Sequence, residues 1–96
     1  MIIRFHPEAD LEFTDAIRWY EYQREGLGSE FLLCIDEAIE KIKSNPQMYP
    51  TIYKMIHRVV VRRFPFAIFY EIGKNEIKVL AVFHSKRDPK KWKSRR

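Results

Sequence analysis

Cysteine is all but missing from this 96-residue chain. Cys34 stands alone, so no internal disulfide and no cysteine-based metal centre can form. A lone cysteine of this kind is expected as a small buried residue. Glycine is nearly as scarce: Gly26, Gly28 and Gly73 are too far apart to cradle a phosphate in a glycine-rich loop. His6, His57 and His84 are widely separated, with no carboxylate at ligand spacing, so no metal site is expected. No cofactor is expected either, and no local Ser/His/Asp set is visible. No apolar run approaches the ~18 residues a membrane span needs. The opening residues, Met1 to Pro7, lack the apolar core of a signal peptide. The expectation is a cytoplasmic protein with no membrane contact.

What is present suffices for one domain over residues 1–96. The composition is 46% hydrophobic and 15% aromatic, enough for a single core. A chain this short buries only roughly 60–65% of its unfolded surface, so its stability margin is thin.

The periodicity changes midway. Residues 1–5, with Ile2, Ile3 and Phe5, read as a strand. Pro7 suits the first turn of a helix, and Glu8 and Asp10 suit its positive end. Ala9, Phe13, Ala16, Ile17 and Tyr20 form an amphipathic stripe that Gly26 and Gly28 end. Ser29 is a plausible N-cap for a second helix. Its stripe is Phe31, Ile35, Ala38, Ile39 and Ile42, and Asn45-Pro46 stops it. The pair reads as an αα-hairpin. Residues 46–56 look irregular. Then come runs of strand length, Val59-Val60-Val61, residues 67–70 and residues 77–83, the last two joined by a turn at Gly73-Lys74-Asn75. The predicted fold is α+β: an N-terminal strand, an αα-hairpin, and a three-stranded antiparallel meander forming one sheet. The order is β-α-α-β-β-β, with a short C-terminal helix or tail after Pro89.

Charge is divided as sharply as periodicity. Residues 1–45 hold 5 basic and 10 acidic residues, a net of −5; residues 46–96 hold 13 and 3, a net of +10. Within the second half, the tail at 86–96 holds 7 basic residues and one acid, a net of +6. Such a surface favours a polyanion or an acidic partner. Arg63, Lys86, Lys90 and Lys91 are candidate contacts, with Trp92 able to stack or anchor. A solvated terminus would have the same composition.

Strand alternation puts Arg58, Val60, Arg62 and Phe64 on one face. It groups Val79, Ala81 and Phe83 apart from Leu80, Val82 and His84. One face must pack on the helices; the other can be a shallow basic surface. Arginine grips phosphate through a planar fork that stays charged, and histidine moves protons near neutral pH. Arg58, Arg62, Tyr70 and His84 are therefore candidates for metal-independent RNA cleavage. In that chemistry the 2′-OH attacks its own phosphorus with a base, an acid and a cation in attendance. The alternatives are structural: arginines paired with helix acids, His84 as a strand-end hydrogen-bonding residue, Tyr70 as core.

Four stretches carry a resemblance: His6-Pro7-Glu8-Ala9-Asp10-Leu11; Ile39-Glu40-Lys41-Ile42-Lys43-Ser44-Asn45-Pro46; residues 62–70; and residues 79–89, ending His84-Ser85-Lys86-Arg87-Asp88-Pro89. Together they resemble the RelE/ParE superfamily of toxins from bacterial type II toxin–antitoxin modules, over essentially the whole chain. The resemblance implies a growth-arresting toxin, a cognate antitoxin partner and a toxin–antitoxin hetero-oligomer. It implies one of two targets. RelE-like members cut mRNA in the ribosomal A site, and likeness to them implies a catalytic set of Arg58, Arg62, Tyr70, His84 and Arg87; ParE-like members poison DNA gyrase. The compact hairpin and the His-x-x-Arg-Asp ending look more like ParE. The middle strands carry apolar Ala67, Ile68 and Phe69 where RelE has a dense basic cluster. An inactive basic binding domain is the third reading. An antitoxin should cover apolar surface, and Leu11, Tyr22 and Leu33 fall off the two core stripes, making them candidate antitoxin contacts.

Overall fold

The structure is a computed structural model. It describes every residue except Asp88 and Arg96, and leaves out the side chains of Pro89, Lys90 and Lys91. Strand β1 (Ile2–Phe5) leads into α1 (Pro7–Gln23) and α2 (Leu27–Ser44). Four strands follow, β2 (Thr51–Tyr53), β3 (Ile56–Val60), β4 (Phe66–Gly73) and β5 (Glu76–His84), then a 3-10 helix over Pro89–Arg95. No helix among the described residues is long and apolar enough to cross a membrane.

The sheet has five strands in the order β1-β5-β4-β3-β2, not the expected three. Two features account for the difference. The N-terminal strand joins the same sheet, pairing in parallel with β5 through Ile3↔Ile77 and Phe5↔Val79. Residues 46–56 are not wholly irregular, since Thr51–Tyr53 forms a short edge strand antiparallel to β3. The remaining pairs, β3 with β4 and β4 with β5, form the predicted antiparallel meander.

Both helices start where capping chemistry allows. His6 caps α1, its Nδ1 accepting from the Glu8 amide at 3.1 Å. The cap of α2 is not Ser29, which lies inside the helix; it is Gly26, at φ +87°. Glu21 reaches over from α1 and accepts from the amides of Gly26 and Gly28 at 2.9 and 3.0 Å. A borrowed carboxylate thus supplies what a capping serine would. At Gly28 a Cβ would stand 2.7 Å from the Ile17 carbonyl oxygen, so this position needs glycine for the hairpin to close.

The helical stripes pack on one sheet face as their spacing demands. Phe31, Ile35, Ala38, Ile42 and Cys34 are buried against Val59, Val61, Ile68, Tyr70, Ile77, Val79 and Val82. Phe31 touches Tyr20, Phe64 and Phe66, with ring centroids 5.0–5.1 Å away. The opposite face has its own smaller cluster of Ile56, Ala67, Phe69, Leu80, Ala81 and Phe83, roofed in part by Trp92 from the C-terminal helix.

Strict alternation fails in two places. On β5, Phe69 pairs with Ala81 and Tyr70 with Val79, which leaves Leu80 as an extra residue in a β-bulge. Leu80 and Ala81 therefore both face away from the helices, while Val79 and Val82 both face them. The expected grouping of Leu80 with Val82 and His84 is overturned for that reason. On the third run, β3 ends at Val60 and the chain bends at 62–65. Arg63 takes a left-handed conformation at φ +74°. Arg62 and Phe64 are thus released from the face that Arg58 and Val60 share.

Candidate functional site

The face of the sheet turned away from the helices carries a buried apolar cluster with Arg58 and Val60 left exposed beside it. Trp92 fills the part over Tyr53 and Phe69, with ring centroids at 5.6 and 5.2 Å. Beside it lies a bare hollow of about 260 Å³. Its floor is Ala67, Phe69 and Phe83, and Val60, 69% exposed, stands at its edge. Arg58 projects beside it from the middle of β3, opposite Phe69. Among the described residues Arg58 has no ion-pair partner. His84, Ser85 and Arg87 form the far rim.

Each rim group is fixed differently. The His84 ring stands edge-on to Phe66 at 5.3 Å. Its Nδ1 accepts from the Lys86 amide at 3.1 Å, so the neutral ring carries its proton on Nε2. Arg87 lies over the Phe83 ring, 4.5 Å from its centroid, and reaches Glu12 at 3.3 Å.

Glu12 belongs to a second arrangement just behind the rim. β1 ends at Phe5, so the outer edge of β5 has no neighbouring strand beyond Val79. The His6 amide donates to Val79 at 2.8 Å. Past that point side chains take over. The Val82 amide donates to Glu12 at 3.1 Å, and Arg95 donates to the Leu80 carbonyl at 3.0 Å. Arg95 and Glu12 then bind each other twice, at 2.7 and 2.9 Å, with Glu8 at 3.0 Å from the same guanidinium. Both partners of this central pair are largely buried. The hydrogen-bonded Glu12 carboxylate raises the Arg95 pKa above its already high ordinary value.

The five candidate catalytic residues do not assemble. Arg58, His84 and Arg87 line one hollow. Arg62 lies on the helix side, 3.8 Å from Glu37. Tyr70 is fully buried on the helix-packed face. Its hydroxyl donates to the Pro46 carbonyl at 2.6 Å, and its ring stacks on His57 at 4.9 Å. Burial first, and the nearby Tyr49 phenol second, push its pKa up to about 12. It is a core residue, out of reach of any ligand on the open face.

The basic residues set apart as target contacts also divide. Arg63 pairs with Glu30 at 2.9 Å and is turned toward α2. Lys86 is exposed near the rim. The side chains of Lys90 and Lys91 lie outside the described residues. Trp92 is only 1% exposed: it anchors the C-terminal helix to the sheet rather than standing free to stack on a ligand. The tail is therefore folded over Pro89–Arg95, because an indole placed beside an uncovered apolar sheet face is driven onto it. Leu11, Tyr22 and Leu33 are all exposed.

One feature escaped the reading of the sequence. A larger hollow of about 580 Å³ lies on the other side of the same rim, between α1 and the sheet. It is lined by Asp15, Trp19, Tyr20 and Phe66, and shares His84 and Arg87 with the smaller one. Trp19 is 58% exposed. The available signal was a tryptophan lying off the α1 stripe. Among the described residues no group of three or more His, Cys, Asp or Glu side chains gathers to hold a metal ion.

Comparison with known proteins bears on these observations. No curated protein matches the sequence. Among solved structures, a chain of the "Chromosomal ParDE TA system from P. aeruginosa" superposes with a TM-score of 0.65 at 16% sequence identity. The match covers 88% of this chain and 95% of that one, and at this identity it establishes a common fold. Residues 3–89 match the family described as ParE toxin of type II toxin–antitoxin system, parDE. Since that match spans nearly the whole chain, this protein belongs to the ParE toxin family.

Proposed function

We propose that this toxin arrests growth by poisoning DNA gyrase through protein contact, that it acts in the cytoplasm, and that a cognate antitoxin neutralises it in a hetero-oligomer. The observation that carries the choice of target is the position of Tyr70. Metal-independent RNA cleavage needs a proton acceptor and a proton donor near one phosphorus. With Tyr70 locked under the helices, His84 is the one imidazole among the described residues that line the hollow. Arg62 is also absent from it, engaged by Glu37 on the helix side. The antitoxin has apolar surface to cover on the helical layer: Leu11, Trp19 and Tyr22 on α1 and Leu33 on α2.

The convergence of Arg58, His84 and Arg87 favours a second reading, a ribosome-dependent mRNA endoribonuclease. Induction of the toxin in cells, with DNA topology and mRNA examined side by side, separates the two. Gyrase poisoning should trap gyrase–DNA cleavage products and raise an SOS response while mRNA stays whole. Breakage of mRNA at A-site codons with unchanged DNA topology would reject it in favour of the second reading.

A further inference from the structure

The small hollow on the open face has a use that gyrase contact does not require. Three side chains with hydrogen-bond donors line it from separate elements: Arg58 from β3, His84 with its Nε2–H at the end of β5, and Arg87 from the turn after it, which also holds Glu12 at 3.3 Å. The other described arginines of the sheet and its flanking segments are paired with acids. Arg62 and Arg63 sit against helix acids, Arg4 against Glu76, and Arg95 within its buried pair. Arg58 is the exception. It is exposed, central in the sheet, and has no carboxylate partner among the described residues. The acids of this chain lie mostly within residues 1–45, and Glu71 is the acid of β4.

We propose that this hollow is a phosphate-binding site that takes one phosphodiester of a nucleic-acid strand and holds it without cleaving it. Donors on separate elements around one hollow suit an anion with several oxygens at tetrahedral angles better than a planar carboxylate. Val60, exposed at the edge above the buried Phe69 and Phe83, gives an apolar wall to the sugar that flanks a phosphate. At about 260 Å³ the space is below the ~300 Å³ where pockets for whole small molecules begin; it is sized for one unit of a polymer. Beyond the hollow, Lys93 stands over the Tyr53 ring at 4.3 Å, while Lys78 on β5 lies opposite Glu71 on β4. Binding stops short of cleavage because, among the described residues, His84 is the one imidazole lining the hollow.

The experiment is fluorescence anisotropy of a labelled 12-nucleotide single-stranded DNA, titrated with the full toxin chain freed of antitoxin, at several salt concentrations. Arg58→Ala should weaken binding about tenfold at low salt and lower the salt slope by about 0.7, the share of one phosphate contact on a single strand. Lys74→Ala, in the β4–β5 turn at the opposite end of the sheet, should change it less than about twofold. Arg58→Lys should restore part of the loss, since it returns the charge without the fork. Circular dichroism of each variant establishes that it is folded, and Arg87→Ala provides an independent route to the same site. The DNA should be recovered whole. Equal weakening by Arg58→Ala and Lys74→Ala would overturn the proposal, as would release of shortened DNA. Binding of inorganic phosphate, seen as a shift of the His84 ring signals, with no binding of the strand would reject the nucleic-acid assignment and leave a free-anion site. Because gyrase is absent from the assay, its outcome is independent of the gyrase reading.

Discussion

The two faces of this one sheet have been treated in opposite ways. The face under α1 and α2 is closed. Its aromatic cluster around Phe31 is continuous, its buried Tyr70 hydroxyl has a partner, and the basic bend after β3 is held by helix acids through Arg62–Glu37 and Arg63–Glu30. The other face is covered by Trp92 and by Arg87 lying over Phe83, and it leaves Arg58 and Val60 exposed. The residue types differ little between the two faces; what differs is whether each charged group has been given a partner. On the closed face, ion pairs tie the bend after β3 to α2. A face with an unmatched central arginine is available to something outside the molecule.

This contrast can be broken from the closed side first. Phe31→Ala should cost about 3–5 kcal/mol, the range for removing a buried aromatic side chain. In a 96-residue domain that is enough to leave it unfolded at physiological temperature, and a denaturation midpoint would show it. Trp92→Ala attacks the open face where it is covered. It should cost about 3 kcal/mol and expose Phe69 and Leu80, which dye binding to apolar surface would report.

Tyr70→Phe is gentler, at about 1 kcal/mol for one buried hydrogen bond. It also carries a pH signature. The folded value is raised from 10.0 to about 12, so on alkalinisation the unfolded chain releases this proton first. The stabilisation is complete below pH 10 and drains away as pH climbs through about 12. Denaturant midpoints across that window should fall more steeply for the parent than for Tyr70→Phe; parallel curves would refute the assignment. Glu30→Gln should do less still, because the carboxylate is exposed even though Arg24 and Arg63 hold its pKa below the ordinary value. What it does contribute is present above the usual glutamate range and disappears as pH falls through the lowered value. Arg58→Ala is the smallest of all for stability, within about 0.5 kcal/mol, and a melting curve that moved further would show that the open face is structural after all.

Sequence reading reached the closed face more completely than the open one, for a physical reason. Helical stripes and strand runs are local patterns, and Ala9-to-Tyr20 and Phe31-to-Ile42 packed as their spacing required. The antiparallel order of the last three strands followed from a short turn. The parallel pairing of β1 with β5 joins residues some seventy positions apart, and no local signal encodes it. Thr51–Tyr53 is too short, and too close to Pro50, to stand out as a strand. The extra residue at Leu80 reverses alternation without any glycine or proline to mark it. In the tail, a count of lysines and arginines concealed the two residues that determine its structure, Trp92 and Arg95, because composition says nothing of where an indole or a buried guanidinium will land. At the candidate site, residue type was legible for Arg58, His84 and Arg87, but sidedness was not, so Tyr70 and Arg62 were grouped with them until the fold separated them.

The pairing of Arg95 with Glu12 has one more consequence. An uncovered strand edge is a template on which other chains can add, and β5 runs on past the end of its parallel neighbour with just such an edge. By occupying the Leu80 carbonyl and the Val82 amide, the two side chains act as a blunt stop to strand addition. Loss of either would do more than loosen the C-terminal helix. It would leave a short, apolar, hydrogen-bond-hungry edge in an otherwise folded molecule, and the characteristic failure would be association between copies instead of unfolding of one.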